Sequence, residues 1–274
     1  MSEQDPRNDP TPWLDRWNLT VSGEQIVTHS SVLVPAMQGE RPVMLKLTQE
    51  PDEQIGGAVL AWWNGNGAVA VLQRENGALL MERPTGTESL YQWALQGSDD
   101  AAIDLLCQTT AILHSHLGPN PPAVPPLDHW FRDLLESTDR RPEVIEGHRL
   151  LELLLATERD QVMLHGDIHH RNVLATNDGR WLAIDPKGIY GERTYDYLNI
   201  FRNPNAPIAT DPVRFETRLA QITRTAELDR QRLLQWIAAF AALSIAWNYY
   251  PEGSPAADLT LARLALTRLE LESK

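Results

Sequence analysis

Two short apolar runs, Val173-Leu174-Ala175 and Trp181-Leu182-Ala183-Ile184, are separated by Thr-Asn-Asp-Gly-Arg, and the Asp178-Gly179 pair inside that spacer is a strong signal for a two-residue type I′ hairpin turn. A tight turn at a known position dictates which residues meet. With Asp178 and Gly179 as the loop, Asn177 pairs with Arg180, Thr176 with Trp181, Ala175 with Leu182, Leu174 with Ala183 and Val173 with Ile184, so that Asn172 faces Asp185 across the open end. Directly opposed residues hold their Cβ atoms about 4.5–5.5 Å apart, close enough for two side-chain oxygens to share one hard cation. The inference depends on loop length, because a three-residue turn would shift the pairing by one.

The segment before the hairpin runs His-Gly-Asp-Ile-His-His-Arg-Asn from His165 to Asn172. His165 and His169 have the i, i+4 spacing of a helical zinc pair, but Gly166 and its turn-forming neighbours argue against a helix, so a zinc site is disfavoured. His165 is expected to brace the loop backbone, with His169 and His170 as polar loop residues. Asp167 and Asn172, followed after a hairpin by Asp185, instead form the layout that phosphoryl transfer to a hydroxyl requires. One carboxylate, Asp167, orients the acceptor hydroxyl and takes its proton. An amide oxygen of Asn172 and the carboxylate of Asp185 hold Mg²⁺ against the nucleotide phosphates, where the transition state spreads negative charge.

Residues ahead of this segment divide into two patterns. The stretch 1–83 alternates like strands: GEQIVTHSSVLVPAM, a turn at QGERP, VMLKL, a short helix within EPDEQIGGAVLAWW, and a hairpin AVAVLQRENGALLMER turning at Asn76-Gly77. From residue 84 to 274 the periodicity is helical, beginning with SDDAAIDLLCQTTAILHSHLG and a proline-rich connector, PNPPAVPP. Further helices are expected in VIEGHRLLELLLAT, DPVRFETRLAQITRTA, LDRQRLLQWIAAFAALSIAWNYY and AADLTLARLALTRLELES. The expected architecture is α+β and two-lobed: a small N-terminal antiparallel β lobe with one helix, then a larger helical lobe carrying the hairpin.

Composition excludes several functions. A net charge of −13 argues against nucleic-acid binding and adhesion to anionic lipid, and suits a cationic small-molecule partner. No basic and apolar leader opens the chain, and the most apolar run, Trp236 to Trp247, is too short to span a bilayer, so a cytoplasmic protein is expected. Cys107, the single cysteine, lies in an apolar helical stretch and is expected to pack in the core. Trp62 and Trp63 are expected to do the same. A monomer is expected.

HGDIHHRNVL followed by LAIDPKG resembles the catalytic and metal-binding segments of the aminoglycoside phosphotransferase and choline kinase superfamily, relatives of the protein kinases. WWNGNGAVAVLQRENGALLMER, the full HGDIHHRNVLATNDGRWLAIDPKGIYGE and the late SIAWN resemble the streptomycin 6-kinase and hydroxyurea phosphotransferase branch, over nearly the whole chain from about Thr28. The resemblance implies a protein-kinase-like fold, ATP or GTP as phosphoryl donor, and Mg²⁺. It makes Lys46 the strand lysine on the nucleotide phosphates and Glu53 its ion-pair partner, with Glu50 as a substitute. Ser30 and Ser31 in THSSVLVP become phosphate contacts, although that loop lacks the glycines of a protein-kinase phosphate loop. Glu82 and Arg83, in the hinge-like MERPTG, join the nucleotide site. Asp185 leads quickly into YGERTYDYLNIF, leaving no room for an activation loop. Glu192, Asp196 and Asn199, with Trp247 and Asn248, are the candidate acceptor-site residues, the acids suited to a guanidinium or ammonium substrate.

The expected function is ATP-dependent phosphorylation of an aminoglycoside-type antibiotic, with streptomycin at its 6-position leading. Hydroxyurea, a sugar or another small metabolite are alternatives within the same chemistry. A nucleotide-binding pseudokinase is the alternative from another class. The presence together of Lys46, Asp167, Asn172 and Asp185 weighs against it, since an inert scaffold has no chemical need for all four.

Overall fold

The computed structural model describes residues 9–247 and 255–272. Its first part is an antiparallel sheet of β1 (Thr20–Val21), β2 (Ile26–Val27), β3 (Val32–Gln38), β4 (Arg41–Leu47), β5 (Val71–Glu75) and β6 (Ala78–Glu82), in the order β1-β3-β4-β6-β5 with β2 also on β3. The run GEQIVTHSSVLVPAM does not continue as one strand. Thr28 closes a turn between β2 and β3: its N–H donates to the Ser31 carbonyl and its Oγ1 accepts the Ser31 N–H, each at 2.9 Å. At Asn76-Gly77 both residues have positive φ, 46° and 81°, as a type I′ turn demands.

Strand alternation decides which side chains reach the cleft. Val43, Leu45 and Leu47 are buried on one face of the sheet with Val34, Ala36 and Leu80, which puts Lys46 on the other face. The first face is covered by α1 (Thr11–Arg16) and the residues after it, through Trp13, Leu14 and Trp17. This helix is additional to the one expected in the lobe. The second face packs through Leu79 and Met81 against α2 (Pro51–Trp63), whose Val59, Leu60 and Trp63 join the larger core. Proline at the first position and Asp52 and Glu53 in the first turn suit the start of α2.

After β6 comes α3 (Leu90–Leu95), followed by α4 (Asp99–His114), α5 (Leu127–Trp130), α6 (Arg132–Leu135) and α7 (Pro142–Ala156). The catalytic segment lies between β7 (Gln161–Leu164) and β8 (Val173–Ala175), followed by β9 (Trp181–Ala183), β10 (Ile189–Glu192), a 3₁₀ turn (Arg193–Tyr197) and α8 (Leu198–Arg202). The chain closes with α9 (Ala206–Ala209), α10 (Pro212–Thr225), α11 (Arg230–Ala246) and α12 (Pro255–Glu272). From Arg232 to Ile245 only Gln235 of α11 escapes full burial, and the helix is wedged against α7 and α12 as the spine of this lobe. A helix apolar on all sides needs such a position. No helix among the described residues is long and apolar enough to cross a membrane.

The hairpin register differs from expectation. Val173 pairs with Ala183, Leu174 with Leu182 and Ala175 with Trp181. Asn172 therefore faces Ile184, whose N–H donates to the Asn172 carbonyl at 2.9 Å, and not Asp185. The loop has three residues, Asn177, Asp178 and Gly179, and only Gly179 has positive φ, at 85°. Side chains explain the change: Thr176 Oγ1 accepts the Arg180 N–H at 2.9 Å, while the Asp178 carboxylate accepts from Thr176 Oγ1 and from Arg180 Nε. These local bonds satisfy the backbone in a three-residue loop, a geometry that Gly in the left-handed region completes.

Candidate active site

The loop from His165 is held by buried groups. Asp196 accepts the His165 and Gly166 N–H groups at 2.8 and 2.7 Å and pairs with His114 Nε2 at 2.8 Å. His165 Nδ1 accepts the Asp167 N–H at 3.2 Å, so Nε2 carries the proton and donates to the Ile184 carbonyl at 2.9 Å, tying the loop to the hairpin. That arrangement needs a neutral ring. Burial keeps it so, pushing the His165 pKa down to about 4.

The pH dependence of stability follows with a definite sign. Below about pH 6.5 the unfolded imidazole takes up a proton that the folded ring refuses until about pH 4. Stability is therefore lost as pH falls through that window, by about 1.4 kcal/mol per pH unit for this group. Denaturant titrations between pH 7 and 4.5 on the wild type and on His165→Asn measure it as the difference in slope. Equal slopes would remove the neutral-imidazole assignment.

Asp167 sits at the end of the braced loop. Asn199 Nδ2 donates to its Oδ1 at 3.1 Å, and Asn172 Nδ2 donates to its carbonyl at 2.9 Å and to Oδ2 at 3.3 Å. Burial pushes its pKa up, with His169 and Lys187 acting in the opposite direction. A carboxylate aligned by two amides and raised by burial can accept a proton from a nearby hydroxyl.

On the other side of the cleft, Lys46 donates to Glu53 and, at 2.6 Å, to Asp185 Oδ1. Glu53, in the first turn of α2, is thus the partner, and Glu50 is not. Asp185 leaves the hairpin in the left-handed region, at φ 57°, unusual for a residue with a side chain. This bend brings its carboxylate back to the cleft although Ile184 holds the position opposite Asn172. Burial pushes the Asp185 pKa up, but the ammonium groups of Lys187 and Lys46 outweigh it and bring the value down to about 2, so the carboxylate is ionised. The cleft has a volume of about 510 Å³, and its lining includes Ser30, Lys46, Met81, Asn172, Leu174 and Asp185.

The donor set fits Mg²⁺. Asp185 offers ionised oxygens, and Asn172, whose amide nitrogen faces Asp167, has its amide oxygen left for another partner. Two protein oxygens are few, but Mg²⁺ keeps several waters and takes substrate phosphates as its other ligands. Among the described residues no group of three or more His, Cys, Asp or Glu is placed to hold a metal ion.

Several expected site residues are used elsewhere. Glu192 is buried in the helical lobe, accepting from Arg232 Nε at 2.6 Å and Trp236 Nε1 at 3.0 Å, and cannot face a substrate. Asp196 is equally buried and serves the loop backbone. Asn199 orients Asp167. Trp247 packs edge-on against Trp130 with ring centroids 6.0 Å apart, and Asn248 lies outside the described residues. Ser30 Oγ donates to Glu53 at 2.9 Å, and the Ser31 hydroxyl is exchanged with Thr28 across the turn, so both line the cleft with their hydroxyls engaged. Glu82 accepts from Arg180 at 3.1 Å and Arg83 donates to Ser22 at 3.2 Å, so these two residues line the cleft while tying it to the hairpin and the sheet edge. Trp63 and Cys107 are core residues, the thiol pushed up to about 12 by burial.

Lys187 was not among the expected site residues. Its Nζ lies 3.4 Å from Asp185 Oδ2 and 4.0 Å from Asp167 Oδ2. A lysine two positions after the second acid, between Pro186 and Gly188, was the available signal.

The family described as aminoglycoside/hydroxyurea antibiotic resistance kinase matches residues 16–251. The streptomycin 3''-kinase of Klebsiella pneumoniae is 44% identical over 85% of this chain and 90% of its own length. The streptomycin 6-kinase of Streptomyces glaucescens is 31% identical over 92% of this chain and 85% of its own. Among solved structures, a thermostable mutant of aminoglycoside phosphotransferase APH(4)-Ia in ternary complex with ADP and hygromycin B superposes with a TM-score of 0.61 at 14% identity, covering 95% of this chain and 96% of that one. The last likeness is one of fold.

Proposed function

This chain belongs to the aminoglycoside/hydroxyurea antibiotic resistance kinase family, phosphotransferases with an alcohol group as acceptor, and we propose that it transfers the γ-phosphoryl group of ATP to a hydroxyl of streptomycin. The observation that carries the reading is the meeting of two constellations: Asp167 held by Asn199 and Asn172, and Asp185 held by Lys46, itself paired with Glu53.

The geometry supports the following division of roles. Lys46, kept in place by Glu53, holds the α- and β-phosphates. Asp185 and Asn172 would hold Mg²⁺, which when bound would neutralise charge on the phosphates. Asp167 orients the acceptor hydroxyl and takes its proton as the new O–P bond forms and the bond between the γ-phosphorus and the bridging oxygen breaks, releasing ADP. In the same reading residues 1–83 form the nucleotide lobe and 84–274 the lobe for catalysis and acceptor binding. The 6-hydroxyl is the proposed position, supported by the Streptomyces relative; the 44% identity to a 3''-kinase favours the 3''-hydroxyl as a second reading.

Incubation with ATP and Mg²⁺ against streptomycin, other aminoglycosides, hydroxyurea and simple sugars, with mass detection and NMR of the product, tests the proposal. Streptomycin carrying one added phosphoryl group is the expected result, and the phosphorus couplings assign the position. No product from any antibiotic would remove this acceptor class.

A further inference from the structure

Phosphoryl transfer places the migrating group between the residue that serves the nucleotide and the residue that serves the acceptor. Here those are Asp185 and Asp167, and Lys187 stands between them, its Nζ 3.4 Å from Asp185 Oδ2 and 4.0 Å from Asp167 Oδ2. Lys46 meets the other oxygen of Asp185 at 2.6 Å and also pairs with Glu53, so Lys187 completes the charge balance of these two carboxylates from the cleft side. An ammonium has three N–H donors, and Asp185 takes one of those on Lys187 at hydrogen-bond distance. The side chain is about one-third exposed, at 30%, so it opens to the cleft it also lines.

The backbone under Lys187 is anchored on both sides. Its N–H donates to the His165 carbonyl at 2.7 Å, tying it to the catalytic loop. The Pro186 carbonyl lies against α2, so close that a Cβ on Gly56 would stand 2.1 Å from its oxygen. Only glycine permits that approach. The lysine therefore starts from a point fixed relative to both Asp167 and the helix bearing Glu53. On the catalytic segment Arg171 lies over the Tyr91 ring, 4.1 Å from its centroid, and His169 stands at the other oxygen of Asp167, Nε2 to Oδ1 at 3.7 Å.

We propose that Lys187 is a further catalytic residue, its ammonium contacting the γ-phosphoryl oxygens during transfer. The inference rests on the kinase reading above. A preorganised cation at the place where charge develops lowers the barrier without reorganisation during the reaction. Lys46 serves the group that stays with ADP; Lys187 serves the group that leaves.

Calorimetric binding of ADP and of the β,γ-imido triphosphate, with Mg²⁺, to wild type, Lys187→Met and Lys187→Gln separates this role from a structural one. The expected result is ADP affinity close to wild type with triphosphate affinity reduced about tenfold to 100-fold, the size of a lost charge-assisted hydrogen bond. Circular dichroism identifies a variant that fails to fold, and the other then carries the test. Equal losses for ADP and triphosphate, or no loss for either, overturn the proposal and leave Lys187 as a brace on Asp185. Wild-type protein that binds neither nucleotide would instead overturn the kinase reading itself.

Discussion

Asp167→Asn is expected to lower turnover by about 10²–10⁴ while ATP binding survives. The substituted amide keeps the size of the side chain but has no capacity to take a proton at neutral pH. It also meets two donors, since Asn199 Nδ2 and Asn172 Nδ2 each face one carboxylate oxygen of the wild-type residue. An amide offers only one oxygen to them, so one donor faces another and the alignment of the acceptor hydroxyl is lost as well. The nucleotide contacts proposed for Lys46 and Asp185 are on the other wall and are retained. Steady-state rates of ADP formation, paired with calorimetric ATP affinity, measure both halves. Turnover equal to wild type would sink the assignment of Asp167 as base and orienting group.

Asp185→Ala is expected to abolish the magnesium-dependent part of ATP binding. The wild-type carboxylate is ionised and bonded to Lys46 at 2.6 Å, with Lys187 at 3.4 Å. Its removal takes away the proposed anionic ligand for the metal and leaves two ammonium groups without their shared carboxylate. Phosphate without metal is attracted to such a pair, so ATP affinity in EDTA is retained or strengthened. Titrations of ATP with Mg²⁺ and with EDTA give the result as a ratio. A ratio equal to that of wild type would argue against the metal role of Asp185.

Two tight turns show how far local sequence reaches. Asn76-Gly77 forms the expected type I′ turn, with positive φ at both residues, and the Thr48 N–H donates to the Gly77 carbonyl at 2.9 Å without shifting it. Asp178-Gly179 has as strong a signal and forms a three-residue loop instead, because Thr176, Asp178 and Arg180 bond to one another. The one-residue slip puts Ile184 where Asp185 was expected. Asp185 reaches the cleft by another route, a left-handed bend and the pull of Lys46 from a strand 139 positions away.

The acids near the acceptor side make the opposite point. Glu192 and Asp196 have the charge and position in sequence to suit a cationic substrate. Burial decides otherwise: an ionised carboxylate in a dry interior needs partners, and Arg232 and Trp236 supply them to Glu192, backbone amides and His114 to Asp196. Which residues are buried is a property of the packed helices and cannot be read from charge.

The sequence by itself determined the two-lobed class, the strand and helix periods, the lysine strand and the order of acid, amide and second acid around a hairpin, since these depend on residues close together in the chain. Only the tertiary structure decided the register at Asn172, the choice of Glu53 over Glu50, the burial of Glu192 and the place of Lys187 between two carboxylates. Each of these depends on a side-chain bond or an approach between elements distant in sequence. Such contacts are selected by packing and charge balance once the chain is folded, and no local pattern encodes them.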